Sequence, residues 1–154
     1  MSGTKATYHG LGYEESVTLG VTIGQNECKK QFQWNPWNCP EHDFYQIFSK
    51  NEPLPPTRET AFVHAIISAG IVHTIAQNCS RGDFNECGCH GRRSKSQKSE
   101  ETKGGFRWGG CSDDADFGMK VAKSFLDEQE TVSDARTKMN LHNNNVGRMV
   151  SWLQ

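Results

Sequence analysis

The sequence predicts a mainly α fold, a helical bundle around a central buried helix, with a small disulfide-bonded β-hairpin region. Three observations predict it. The stretch Arg58 to Cys79, RETAFVHAIISAGIVHTIAQNC, is apolar or small at nearly every position from Ala61 to Ala76, so a helix there is apolar most of the way round and belongs inside. Helical periods recur on both sides of it. Between Cys79 and Cys111 the chain turns rich in glycine, with Gly82, Gly88, Gly91, Gly104, Gly105, Gly109 and Gly110, the composition of an irregular or β-hairpin region.

Residues 1–13 read as a frayed, flexible start. From Glu14 a helical period brings Val17, Gly20, Val21, Gly24 and Cys28 onto one face. The two glycines weaken that helix by about 1 kcal/mol each relative to alanine, so it needs a partner, and small residues let a second helix come close. The central helix is the expected partner. In the segment from Cys28 to Cys39, Phe32, Trp34 and Trp37 are expected to fold back over the helix end and pack on the core, with a binding anchor as the competing reading of the tryptophans. Pro36 and Pro40 end the helix. Residues 41–57 form a connector in which Phe44, Tyr45, Ile47 and Phe48 make a short helical turn against the core.

Pro55-Pro56 blocks helix ahead of the central segment, Thr57 is its expected N-cap and Glu59 suits its positive end. Ser80-Arg81-Gly82 supplies the stop. At ~1.5 Å per residue this helix is about 30 Å long. It falls short of ~18 uninterrupted apolar residues and carries two histidines, so it is read as a core helix and not as a membrane span. His64 and His73 are then expected to be neutral, hydrogen-bonded core histidines.

Residues 91–103, GRRSKSQKSEETK, contain no apolar side chain and read as a flexible, solvated loop. Its cations Arg92, Arg93, Lys95 and Lys98 are candidate ligands for heparan sulfate or an acidic partner, set against a plain loop tip. Ser112 is an expected N-cap, with Asp113, Asp114 and Asp116 in the first helical turn; the spacing lacks the alternation of a calcium loop. Phe117, Val121 and Phe125 beside Gly118, Ala122 and Leu126 make an amphipathic helix. A last helix begins at Ser133-Asp134-Ala135, with Met139, His142, Val146, Met149 and Leu153 as its expected apolar face. Asn143-Asn144-Asn145 are poor helix formers, so buried asparagine hydrogen bonds are expected there.

A chain of 154 residues is long enough for one domain, taken as 1–154, that buries roughly 70% of its unfolded surface. The net charge of −1 provides no global attraction to nucleic acid or an anionic membrane, and no nucleic-acid partner is expected. Six cysteines, Cys28, Cys39, Cys79, Cys87, Cys89 and Cys111, accompany the sequon Asn78-Cys79-Ser80. Together they imply an oxidising, extracellular setting with a glycan at Asn78. Met1 to Ser16 contains no apolar core of a signal peptide, so the targeting sequence is taken as removed. Cys87-Gly88-Cys89-His90 offers three potential ligands but neither the usual zinc spacing nor a second half-site; disulfides are expected instead, and no metal or cofactor. No serine-hydrolase elbow, phosphate loop, zinc-protease or dinucleotide motif occurs. A binding protein, not an enzyme, is the expectation.

Several motifs in series resemble the Wnt family: Cys28-Lys-Lys-Gln-Phe with Trp37-Asn-Cys39, Arg58-Glu-Thr-Ala-Phe-Val with Ala65-Ile-Ile-Ser-Ala-Gly70, Trp108-Gly-Gly-Cys-Ser-Asp113, and Met139-Asn-Leu-His-Asn-Asn144 with Gly147-Arg148. Cys39-Pro40-Glu41 and Asn78 to Phe84 look most like the eighth vertebrate subgroup. The resemblance covers residue 14 to about 150 and only the N-terminal half of a Wnt. It implies a secreted glycoprotein ligand with a saposin-like helical domain and the pairings Cys28–Cys39, Cys79–Cys87 and Cys89–Cys111, each ring stabilising the fold by roughly 2–4 kcal/mol. It also implies Frizzled receptors and an LRP-type co-receptor as partners. A Wnt continues past Gly147-Arg148 into a hairpin whose serine carries a lipid; here Val150 runs straight into Ser151-Trp152-Leu153-Gln154. The expectation is therefore a truncated domain whose lipid acylation site and C-terminal cysteine-rich domain, the two Frizzled grips, are absent. Direct lipid binding by a saposin-like domain is the alternative.

Overall fold

The computed structural model describes residues 11–49, 52–87, 112–130 and 133–151. Five helices occur among them: α1 (Leu11–Gln31), α2 (Glu41–Gln46), α3 (Arg58–Arg81), α4 (Ser112–Asp127) and α5 (Ala135–Ser151). No strand occurs among the described residues. The hairpin region expected between Cys79 and Cys111 falls mostly outside them; its described start, up to Cys87, is the last turn of α3 followed by turns.

The helix α3 is the rod against which α1, α4 and α5 pack. Its start is capped by Thr57, whose hydroxyl accepts from the Thr60 amide at 3.1 Å. Its end is Gly82 at φ 86°, whose N–H reaches back to the carbonyls of Asn78 and Cys79. A left-handed residue closes the last turn there, and glycine adopts it without a Cβ clash. Val63, Ile67, Ile71 and Ile75 are fully buried, one every four residues, with Val72 beside them. By length and composition α3 could cross a bilayer, yet 56% of its most apolar window lies buried among its own neighbours, as a core helix does.

Glycines set how close those neighbours come. A Cβ placed on Gly20 would lie 2.7 Å from the Ile71 Cα and 2.8 Å from the Gly70 oxygen, and one on Gly24 would lie 2.8 Å from the Ile66 oxygen. Gly118 of α4 meets the Val72 carbonyl in the same way, and Gly147 of α5 sits directly on the Ala65 carbonyl. Three helices thus touch α3 at backbone level.

Four expectations need correction. The first helix begins at Leu11 and not after residue 13: Tyr13 is buried and its ring stacks on Phe84, centroids 4.2 Å apart, and this long-range contact anchors a start that local sequence leaves weak. Trp34 does not join the core; it is 90% exposed, whereas Phe32 and Trp37 pack edge to face at 5.2 Å and against the core. His73 is exposed; it falls on a side of α3 that the described helices leave open. The fourth correction is α5, whose buried face is polar. Thr137, Asn140, Asn144 and Arg148 point inward, while Met139, Val146 and Met149 are exposed, Met149 by 56%. The close seat of Gly147 on Ala65 fixes the rotation of α5, and the polar residues one turn either side then have to face α3.

Candidate functional site

Those inward polar residues form the most connected buried network among the described residues. Asn144 stands at its centre. Its amide Nδ2 donates to Asp127 Oδ1 at 3.2 Å, so its Oδ1 is the acceptor facing His64 Nδ1 at 3.0 Å. An amide oxygen only accepts, so His64 must carry its proton on Nδ1. Ser68 donates to the Asn144 main-chain oxygen at 2.7 Å, and Arg148 donates to Asp127 Oδ1 at 3.1 Å. Of the three asparagines expected to make buried hydrogen bonds only Asn144 does so, since Asn143 is half-buried and Asn145 exposed; Asn140, which was not among them, donates to Glu130 at 2.9 Å. The network ties α3, α4 and α5 together where apolar contact is scarce. Sequence reasoning missed Asp127 and Arg148, because nothing in their spacing marks them as partners.

Burial pushes the His64 imidazole below its ordinary pKa, and the bond to Asn144 opposes that more weakly. The ring also lines a cavity of about 90 Å³ with Leu54, Glu130, Arg136, Thr137 and Asn140. Because the folded pKa lies below the unfolded value of ~6.5, the unfolded chain takes up the proton first as pH falls. Stability from neutral His64 is fully present above about pH 6.5 and is lost below it, towards the folded pKa. Urea unfolding at pH 7.5 and at pH 5.5 should show this loss, and His64→Gln should flatten it.

The remaining sequence-predicted residues fall into three groups. Cys28 and Cys39 are joined, with Cα atoms 5.9 Å apart, and so are Cys79 and Cys87, at 5.8 Å. The first bridge closes the loop that carries Trp34; the second holds the turn after α3, where Tyr13 donates to Glu86 at 2.7 Å. That bond lowers the Glu86 pKa. Asn78, the candidate glycan site, is half-buried in the last turns of α3, with Nδ2 donating to Ser16 Oγ. Cys89, Cys111, Arg92, Arg93, Lys95 and Lys98 lie outside the described residues. No group of three or more His, Cys, Asp or Glu side chains positioned to hold a metal occurs among the described residues. One further polar contact, Ser80 to Asp114 at 2.6 Å, fastens the start of α4 to the end of α3.

Among the described residues the arrangement consists of bridges, caps and a buried hydrogen-bonded network. A profile of the Wnt family matches residues 6–152. Wnt-8 of Xenopus laevis is 48% identical over 149 residues, which is 97% of this chain and 39% of the relative. Human Wnt-8a is 48% identical over 139 residues, 90% of this chain and 38% of that protein. A chain of the solved complex of human WLS with WNT8A superposes with a TM-score of 0.70 at 44% identity, covering 94% of this chain and 46% of the other. The chain thus spans about two-fifths of the length of the relatives it matches. A family profile running almost end to end, with relatives nearly half identical over the same span, makes the chain a member of the Wnt family.

Proposed function

We propose that this chain is the helical N-terminal region of a secreted Wnt signalling ligand. It works by protein–protein contact in the pathway of Frizzled receptors and LRP-type co-receptors. The observation that carries the reading is the match of almost the whole chain to a chain of the complex of human WLS with WNT8A, a setting in which such a helical region is part of a larger assembly. The bridged cysteines support an extracellular destination, and a sugar chain on Asn78 belongs to the same proposal. Since Asn78 is held by Ser16 in the finished fold, that sugar is added before α1 and α3 dock.

By itself this region signals weakly or not at all, because the resemblance puts the lipid-bearing hairpin and the C-terminal cysteine-rich domain outside these residues. A Wnt reporter assay on the purified 154-residue chain should give little or no activity beside a full-length relative; full signalling overturns the reading. Binding of the same protein to a co-receptor ectodomain, measured by biolayer interferometry with and without residues 91–103, tests whether Arg92, Arg93, Lys95 and Lys98 contribute, and adding heparan sulfate to the same assay tests that ligand.

A further inference from the structure

Trp34 is the most exposed large hydrophobic side chain among the described residues, and the loop that presents it is held from several sides. The Cys28–Cys39 bridge closes its base. Phe32 packs edge to face on Trp37 and, 5.0 Å away, on Phe62 of α3. Trp37 donates from its indole nitrogen to Asp43. Two aromatics of the loop are therefore spent on fixing it, and the third is held out in water. We propose that this loop is a membrane-surface anchor, in which Trp34 enters the headgroup region of a phospholipid bilayer and Lys29 and Lys30 meet anionic lipids beside it.

The surroundings of the indole favour a lipid surface over a protein pocket. Hot-spot tryptophans sit inside an apolar patch whose rim excludes water. Here Gln31, Gln33, Asn35, Pro36 and Asn38 surround Trp34 in sequence, and all are exposed. A lone amphipathic ring on a polar loop fits a medium that closes around it, and the bilayer interface is where tryptophan rings settle. From Lys29 to Pro40 the chain carries two lysines and no carboxylate. The nearest acids stand at the ends of the loop: Glu27, 4.0 Å from Lys30, on one side, and exposed Glu41 with Asp43, beside His42 and Trp37, in the first turn of α2 on the other. With a net charge of −1 there is no long-range pull, so the contact is local, and the lysines act only once the loop is at the surface.

The test is flotation of the full chain, bridges intact, with vesicles of phosphatidylcholine alone and with vesicles containing roughly a third phosphatidylserine. Wild-type protein should float with both and more with the second, its tryptophan emission shifting to the blue. Trp34→Ala should lower partitioning by about tenfold and remove the shift, with an unchanged melting temperature. Lys29→Gln with Lys30→Gln should abolish only the preference for phosphatidylserine. Wild-type protein that stays out of both vesicle fractions overturns the proposal, as does Trp34→Ala partitioning like wild type. If Trp34→Ala instead weakens binding to a co-receptor ectodomain while vesicles are ignored, the loop is a protein dock and the lipid assignment fails.

Discussion

Gly70→Ala should destabilise the fold by about 3 kcal/mol, although in an isolated helix the same change stabilises by roughly 1 kcal/mol. The sign is decided by where the new methyl group would lie. It would overlap the Gly20 carbonyl and come within 3.4 Å of the Gly24 amide, both of them backbone atoms of α1. A flexible side chain could swing aside; a helix backbone has to move as a body. Moving α1 loosens the burial of Val17 and Val21 and the hydrogen bond from Thr74 to the Ser16 carbonyl, 2.8 Å long. Thermal unfolding of the variant should fall by roughly 10 °C for a chain of this size. An unchanged or raised melting temperature would mean that α1 does not ride on α3 as closely as Gly20 and Gly24 indicate. Gly82→Ala provides a contrast, since nothing lies within 4 Å of its Cβ position and only the left-handed φ opposes it; its cost should be about 1 kcal/mol.

Asp127→Ala should cost a similar amount, about 3–4 kcal/mol, by a different route. Asp127 accepts from both Asn144 and Arg148, and the Arg148 side chain is only 7% exposed. Removing the carboxylate takes away the 3.1 Å ion pair of a buried guanidinium and one acceptor of the Asn144 amide. The size of the loss measures the cost of breaking that contact from one side and not the net value of the pair. Asp127→Leu combined with Arg148→Met should therefore recover much of the stability, because both members of this ion pair are replaced by apolar groups together. Urea unfolding of the single and double variants checks this, and a double variant as weak as Asp127→Ala would show that the pair itself stabilises the bundle.

The helices and the central rod were legible from periodicity, because burial on α1, α3 and α4 follows apolar spacing: Val17 and Val21, Val63 to Ile75, Phe117 to Leu126. Caps were legible too, Thr57 by its hydroxyl and Gly82 by its freedom at positive φ. The orientation of α5 was not. Hydropathy places Met139, Val146 and Met149 inside, and a tertiary requirement at Gly147 overrides it. Trp34 was misplaced for a related reason, since residue type predicts burial only where the neighbouring fold has room, and Phe32 and Trp37 already fill it. The motif series from Cys28 to Arg148 carried the family, while the role of Asp127 depended on a contact 17 residues away that no local pattern marks.

Because α1, α4 and α5 each rest on the main chain of α3, α3 is bared to water in full only when all three have left it. The amides of α3 should then trade hydrogen for deuterium only when everything comes apart at once. Their rate, read at Ile67 or Ile71, would serve as a gauge of the whole fold.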